Sequence, residues 1–195
     1  MDEPAKLPFV VPALETRRLL LRPLRSEDAE ALHEAFNDPL VMRHWNQHPS
    51  TDLAETRERI ARSLGTSPEW HAAWSIVRPA DGRAIGVVNY HHREAWNRRL
   101  EIGYLLARAH WRQGLMREAL AAVLGYCFGA FDVHRVEATV EPDNLPSRHL
   151  LESLGFVCES AVMRDRLKVG DGYRSTVMYG LLASEWAARS RMPTT

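Results

Sequence analysis

The sequence predicts an α+β domain in which a β-sheet is covered by helices. One observation predicts the fold class, and a second predicts the number of domains. Strand-like apolar segments are interleaved with segments whose apolar residues recur every three to four positions. In addition, no internal repeat, linker or low-complexity block interrupts the 195 residues. We therefore expect one domain over residues 1–195.

Composition narrows the function classes. Hydrophobic residues form 45% of the chain and charged residues 26%, as in a globular protein with a substantial core. The 25 basic and 25 acidic residues cancel, which argues against a nucleic-acid binder driven by bulk charge. No apolar run is long enough for a membrane span, and no signal-peptide pattern is present. We expect a cytoplasmic protein in which Cys127 and Cys158 are free, mostly buried thiols.

The first elements follow from composition and capping signals. Residues 1–13 are proline-rich and predict a loose arm. Arg18–Leu24 predicts the first strand. Ser26 is a candidate N-cap for a helix over Glu27–Phe36, whose acidic first turn, including Asp28, suits the helix dipole.

A second helix and a hairpin come next. Asp52, with a glutamate three residues on, is a helix start, and the helix should run to about Leu64. The segments Ala73–Arg78 and Ala84–Tyr90 predict strands. The pair Asp81-Gly82 between them is a strong hairpin signal.

The second half of the chain alternates strands with two further helices. A strand at Leu100 leads to a long amphipathic helix, and a strand at Val136–Val140 leads to a shorter helix. Two strands then close the fold, and residues 184–195 predict a frayed helical tail. The two closing strands are Val157–Leu167 and Tyr173–Leu182, separated by Gly170-Asp171-Gly172.

The segment Leu100–Leu120 is the most informative part of the chain. It predicts a strand, a short turn and a helix that opens at Gly114. A helix N-terminus presents unpaired N–H groups and partial positive charge, so it favours phosphate, and glycine allows close approach to the backbone. The segment lacks the patterns of a P-loop and of a dinucleotide-binding turn.

A second signal lies in the segment Val136–Glu159. A strand passes through Pro142, Asp143 and Asn144 into a helix, which Gly155 ends. Three motifs stand out in these segments and before them: Trp111-Arg112-Gln113-Gly114-Leu115-Met116-Arg117-Glu118-Ala119, Asn144-Leu145-Pro146-Ser147 with Gly155-Phe156, and the N-terminal phrase Glu15–Leu24. In their order and spacing they resemble the GNAT acyltransferases, and specifically the branch similar to the ribosomal-protein-alanine N-acetyltransferases. The resemblance covers about residues 14–186.

The resemblance implies a fold and a coenzyme site. The fold would be a central mixed, mostly antiparallel sheet of six to seven strands. It would splay between the fourth and fifth strands and carry about four helices. Acetyl-CoA would be the co-substrate, held by the free edge of the strand before the loop, by the loop itself and by the second motif. The coenzyme-binding residues implied are Ile102, Tyr104, Leu105, Leu106, Arg112, Gln113, Gly114, Leu115, Met116, Arg117, Asn144 and Ser147.

Two residues are candidates for catalysis of acetyl transfer. Glu101 is a carboxylate within an apolar strand, and burial would raise its pKa and make it a better base. The alternative is a structural ion pair with Arg98 or Arg99. Ser147 is the candidate for stabilising the leaving thiolate, and the alternative is an N-cap. Family members often carry a tyrosine one turn further on, where this chain has Leu151.

The sequence defines the residues that would bind the acceptor amine less well than those that would bind the coenzyme. His91, His92 and Trp45 are candidate acceptor-binding residues, together with His44 and Trp96. No metal-ligand spacing supports a metal site. His91 and His92 are adjacent on a strand, so we expect their side chains on opposite faces, where they would chelate poorly.

Three functions remain open at this point. The first is an acetyl-CoA-dependent N-acetyltransferase acting on a protein or peptide α-amine. The second is a small-molecule acetyltransferase, with an amino sugar, an antibiotic or a polyamine as acceptor. The third is a non-catalytic acetyl-CoA-binding module. Edge strands near the C-terminus are compatible with a homodimer.

Overall fold

The computed structural model describes residues 11–129 and 131–190 and is built on a nine-stranded sheet. The strands are β1 (Leu14–Glu15), β2 (Leu20–Pro23), β3 (Ala72–Val77), β4 (Ala84–Glu94), β5 (Arg99–Leu106), β6 (Arg135–Val140), β7 (Val157–Cys158), β8 (Met163–Val169) and β9 (Gly172–Leu182). Their order is β1-β2-β3-β4-β5-β6-β9-β7, and β8 pairs with β9. Within the described residues only β5 and β6 pair in parallel, so the predicted mixed, mostly antiparallel sheet is confirmed.

Helices cover both faces of the sheet. They are α1 (Ala29–Asn37), α2 (Pro39–Met42), α3 (Leu53–Leu64), α4 (Leu115–Phe128), α5 (Leu145–Leu154) and α6 (Ala183–Ser190). One core lies between the sheet and α4 and α5, and a second lies beneath α1 and α3. Strand alternation divides each strand between them: on β3, Trp74 and Ile76 enter the first core, and Ala73 and Val77 enter the second.

The element counts exceed the prediction because very short elements escape a periodicity argument. Two strands have two residues each, and α2 has four. The predicted first strand is shortened to β2. The predicted helix start at Asp52 is confirmed, since its carboxylate accepts from the Glu55 N–H at 2.8 Å.

The predicted cap at Ser26 is wrong. Ser26 opens a 3-10 turn that precedes α1, and its hydroxyl bonds to Glu27 instead of the helix backbone. Asp28 turns inward from the acidic first turn. It forms two bonds with Arg22, at 2.6 and 2.8 Å, and accepts from Ser75 at 2.6 Å and from the Arg25 N–H at 3.0 Å.

Where they are described, both ends of the chain pack against the rest of the domain, in contrast to the predicted loose arm and frayed tail. The Pro12 carbonyl accepts from the Trp74 indole at 2.8 Å, and Val11 packs on the first core. At the other end α6 stacks Trp186 on Phe128. Residues 1–10 and 191–195 lie outside the described residues.

Two smaller expectations concern cysteines and membranes. Both cysteines are free, as expected, but Cys158 is exposed, because β7 lies at the sheet edge. Among the described residues, no helix has the length and apolar character of a membrane span.

The sheet divides between β5 and β6. These strands pair at only three positions, from Arg99 with Arg135 to Glu101 with Glu137. β6 instead pairs along its whole length with β9. We call the gap that opens beyond Glu101 and Glu137 the fork. Because the two-residue β1 was not predicted, β5 and β6 are the predicted fourth and fifth strands, and the predicted splay between them is confirmed.

Asp28 provides a test of what holds the second core to the sheet. Burial raises the pKa of Asp28, but the bonds from Arg22, Ser75 and the Arg25 N–H lower it by a larger amount, so its net pKa lies below the ordinary value. Asp28→Asn leaves Arg22 without its charge partner, and we expect the free energy of unfolding at pH 7 to fall by about 3–5 kcal/mol. Denaturant unfolding measures the loss.

The pH dependence has a definite sign. Because folding lowers this pKa, the contribution of Asp28 is complete above the unfolded pKa of about 3.9 and is lost as pH falls through the folded value. The gap between wild type and variant should therefore close below about pH 4. Arg57→Ala breaks the exposed Arg57–Glu30 pair and is the control, with an expected cost of about 1 kcal/mol or less. An equal cost for both variants would contradict the buried-pair account.

Candidate active site

Glu101 stands where the fork opens. Its Oε1 accepts from the Thr139 N–H on β6 at 3.0 Å, so the carboxylate binds the backbone of the neighbouring strand just beyond the last ladder pair. The expected alternative partners are engaged elsewhere: Arg98 pairs with Asp132, and Arg99 with Glu94 and Glu137. The predicted structural ion pair between Glu101 and an arginine is therefore wrong.

Two histidines approach the second carboxylate oxygen. His92 Nδ1 lies 3.3 Å and His91 Nε2 lies 3.8 Å from Glu101 Oε2. His91 is the direct cross-strand partner of Glu101. The ladder is irregular between His91 and Glu94, and His92 has a φ of +50°.

This bulge corrects the prediction that the two histidines point to opposite faces. A bulge inserts a residue that breaks the period of two along the strand. The His91 and His92 rings are 4.8 Å apart and both face Glu101. The three side chains thus present nitrogen and oxygen atoms that all lie within 4.8 Å of one another.

The protonation states differ from the expectation for Glu101. Burial raises its pKa, as predicted, but the neighbouring His91, the Thr139 N–H bond and His92 together lower it by more, so its net pKa is below the ordinary value. Glu101 is therefore a carboxylate at neutral pH, and the predicted net rise is wrong. Burial also lowers the pKa of His91 to about 4, which keeps that ring neutral.

Asn89 fixes the orientation of His91. Its side-chain oxygen lies 3.1 Å from His91 Nδ1. An amide oxygen only accepts, so Nδ1 carries the ring proton and Nε2 presents a lone pair. Gly103 makes room for this contact, since a Cβ there would lie 2.9 Å from the Asn89 oxygen. Two acceptor atoms, His91 Nε2 and Glu101 Oε2, therefore face each other across 3.8 Å without a proton between them.

The loop from Arg112 to Arg117 has the geometry expected for phosphate. Gly114 is the N-cap of α4, with φ of +72°, and no side chain caps the helix. A Cβ at this position would be strained and would point toward Arg18, 3.5 Å away. The side chains of Leu115 and Met116 turn to the first core, so these residues offer only their N–H groups. Arg112, Gln113 and Arg117 are exposed beside them.

Arg18 supports this loop and was missed by the sequence analysis. Its guanidinium bonds Glu118 at 2.6 Å and donates to the Gln113 carbonyl at 2.9 Å. The pairing neutralises the one acidic side chain in the first turn of α4, where it would otherwise repel phosphate. No local pattern reveals the contact, because Arg18 and Glu118 are 100 residues apart.

Ser147 faces the fork from α5. The predicted alternative role as an N-cap is wrong: Asn144 caps the helix, and its Oδ1 accepts from the Ser147 N–H at 3.3 Å. The Ser147 hydroxyl instead lies 2.7 Å from the Tyr104 hydroxyl on β5. The usual tyrosine position holds Leu151, which is fully buried in the first core. Tyr104, placed by the strand alternation on this face, thus brings a phenol to the same helix.

The remaining coenzyme candidates lie on the part of β5 that borders the fork. Ile102 and Leu106 are buried in the first core and Leu105 in the second. Their side chains are therefore structural. Only the backbone of this segment is available to a ligand in the fork, and β6 does not pair with it.

The other acceptor candidates are dispersed. Trp45 packs on the second core, and its carbonyl accepts from Arg174 at 3.2 Å. His44 pairs with Glu141 at 3.0 Å, and Arg174 binds the same carboxylate at 2.6 Å. Trp96 is 94% exposed in the turn between β4 and β5. Of the five acceptor candidates, the structure gathers only His91 and His92 around Glu101.

Comparisons with known proteins identify the family of this chain. Residues 18–157 match the family model described as the acetyltransferase (GNAT) domain. An uncharacterized N-acetyltransferase, p20, of Bacillus licheniformis is 37% identical over 175 residues, covering 89% of this chain and 98% of that protein.

Solved structures show the same fold at lower identity. The spermidine N-acetyltransferase of Vibrio cholerae, in complex with CoA and spermine, has a TM-score of 0.75 at 22% identity and covers 88% of this chain and 99% of its own. RimL, a ribosomal L7/L12 α-N-protein acetyltransferase, has a TM-score of 0.78 at 21% identity, covering 91% and 97%. The chain belongs to the GNAT family of acetyl-CoA-dependent N-acetyltransferases.

Proposed function

We propose that this acetyltransferase acts on the N-terminal α-amine of a protein or peptide. The observation that carries the proposal is the charge around the fork. Glu101 is a carboxylate without an arginine partner, and its Oε2 meets only His91 and His92 among the described residues. A single unneutralised carboxylate suits an acceptor with one amine.

The neighbouring carboxylates are neutralised. Glu137 binds both Arg99, at 3.1 Å, and Arg135, at 2.7 Å. Glu141 binds Arg174 and His44. A polyamine carries several positive charges and would gain most from several free carboxylates. The fork offers it one.

The acceptor amine would lie between Glu101 Oε2 and His91 Nε2. Both atoms are acceptors, so a neutral primary amine can donate one N–H to each of them and keep its lone pair for attack. Glu101 then takes the proton that the amine loses on attack. An α-amine has a pKa of about 7.7–8.0, against about 10.4 for lysine, so a useful fraction is already neutral near pH 7.

The leaving sulfur would meet Ser147. The Tyr104 phenol has one proton and Ser147 as its only hydrogen-bond partner among the described residues. Burial raises the pKa of Tyr104, which keeps it protonated. Donation from Tyr104 leaves the Ser147 proton free to point into the fork, where it can stabilise a thiolate. Tyr104 acts through Ser147 and is a positioning residue.

Acetyl-CoA would be held by the chain's backbone. The N–H groups at the start of α4 suit the pyrophosphate, and the unpaired edge of β5 suits the amide groups of the arm. Arg112 and Arg117 add positive charge at the surface.

The second candidate is a small-molecule or polyamine acetyltransferase. It is favoured by the structural similarity to the Vibrio cholerae spermidine enzyme. The outcome of an acceptor comparison decides between the two.

A thiol-release assay with matched acceptors tests the proposed function. We expect a peptide with a free N-terminus and no lysine to exceed, in kcat/KM, the same peptide with a blocked N-terminus and one lysine by roughly 100-fold at pH 7, from the difference in neutral amine. Spermidine should also be a poor acceptor. A higher kcat/KM for spermidine would establish the second candidate instead.

Glu101→Gln tests the base. The variant retains an oxygen for the Thr139 N–H but accepts no proton, so kcat should fall by about 10²–10⁴-fold while KM for acetyl-CoA is unchanged. Glu94→Gln alters a half-buried carboxylate nearby that pairs with Arg99, and it serves as the control with near wild-type kcat. Wild-type turnover in Glu101→Gln would assign Glu101 to structure alone.

Ser147 and Tyr104 are tested as a coupled pair. Ser147→Ala and Tyr104→Phe should each lower kcat, and the double variant should be no slower than Ser147→Ala, because Tyr104 acts through Ser147. The melting temperature of Ser147→Ala should stay close to wild type, since Asn144 caps the helix. Ser153→Ala on the same helix is the control. Fully additive losses would rule out the relay, and normal turnover in Ser147→Ala would remove its catalytic role.

A further inference from the structure

The side chains of His91, His92 and Glu101 form a cluster with the composition of a transition-metal site. Two imidazoles and one carboxylate are a ligand set that Zn²⁺ takes up, with a fourth position left for water. The three residues come from two strands, and the bulge at His92 is what joins them. A single sequence motif therefore does not reveal the set.

The distances are close to those a tetrahedral ion requires. Zinc binds imidazole nitrogen and carboxylate oxygen at about 2.0–2.2 Å, so neighbouring ligand atoms lie about 3.3–3.5 Å apart. Glu101 Oε2 is 3.3 Å from His92 Nδ1 and 3.8 Å from His91 Nε2, and all three atoms lie within 4.8 Å of one another. Closure needs a movement of the 71% exposed His92 side chain and a shortening of the distance between His91 Nε2 and Glu101 Oε2 by about 0.3–0.5 Å.

The groups behind the ligands already orient them. Metal-binding histidines commonly donate their second ring N–H to an oxygen, which fixes the tautomer. Asn89 does this for His91, through the 3.1 Å contact to Nδ1. The Thr139 N–H holds the other oxygen of Glu101 at 3.0 Å. Both ligands are therefore held from behind, with His91 Nε2 and Glu101 Oε2 3.8 Å apart.

We propose that His91, His92 and Glu101 bind one borderline divalent transition-metal ion, with Zn²⁺ as the probe. The ion occupies the space between His91 Nε2 and Glu101 Oε2. Under the proposed function the acceptor amine occupies the same space, so the ion competes with the amine and blocks transfer. Metal binding itself needs neither acetyl-CoA nor turnover, and it stands apart from the proposed function.

The first experiment measures binding alone. Tag-free protein carrying Cys158→Ser, which removes the exposed thiol, is titrated with Zn²⁺ in a calorimeter and with Co²⁺ by visible absorption. We expect one ion per chain and a tetrahedral Co²⁺ spectrum. His92→Asn in the same background should weaken Zn²⁺ binding by at least about tenfold, since even outer-shell partners are worth about 10–100-fold in affinity.

The variants are chosen to leave the fold intact. Asparagine tolerates the left-handed φ of +50° at position 92 and lacks the imidazole. His134→Ala removes an exposed histidine on the loop before β6 and is the matched control, with unchanged Zn²⁺ affinity. Equal affinity in wild type and His92→Asn, or the absence of one-to-one binding in wild type, would overturn the site.

The second experiment connects the site to catalysis. Zn²⁺ should raise the apparent KM for the acceptor without changing that for acetyl-CoA, and added chelator should restore the rate. Metal binding in calorimetry without inhibition would retain the metal site and contradict the shared position of ion and amine. Inhibition without binding at His92 would overturn the metal site and leave the proposed function unaffected.

Discussion

The separation of β5 from β6 is the constraint on which the rest of the site depends. The strands pair over three residues, and β6 then stays with β9 along its full length. A parallel sheet that stops pairing leaves backbone N–H and C=O groups without partners, which is costly unless another group satisfies them. At the point of divergence the Glu101 carboxylate accepts the Thr139 N–H. One side chain thus binds the β6 backbone just beyond the last ladder pair and stands where the fork opens.

The position of Glu101 at the fork also determines its charge state. Burial opposes its charge, and two histidines and a backbone N–H favour it, with the second effect larger. A carboxylate surrounded in this way needs no arginine, and it keeps one oxygen for a ligand. The neighbouring glutamates, Glu137 on β6 and Glu141 directly after it, are instead paired with arginines. Glu101 is therefore the carboxylate at the fork that has no arginine partner among the described residues.

The first turns of α4 and α5 differ in how their N–H groups are capped. Asn144 supplies a side-chain cap for α5, so the Ser147 hydroxyl is released from capping and meets Tyr104. Gly114 supplies no cap for α4, and the N–H groups of that helix remain available. Arg18 then holds the loop and neutralises Glu118. The start of α5 is thus capped by a side chain, and the start of α4 is not.

The sequence by itself determined the α+β class, the family, the hairpin around Asp81-Gly82 and the helix opening at Gly114, because all of these rest on local spacing and on motif order. It also named Glu101 and Ser147. Their surroundings came only from the tertiary structure. The contacts from Arg18 to Glu118, from Glu101 to Thr139 and from Tyr104 to Ser147 join residues far apart in the chain, and no local pattern encodes such pairs. The bulge that turns His92 toward Glu101 overrides the alternation that a strand predicts. The direction of the Glu101 pKa was decided by the tertiary structure for the same reason. Desolvation can be read from an apolar strand, whereas the histidines and the Thr139 N–H that oppose its effect come from strands that only folding brings together.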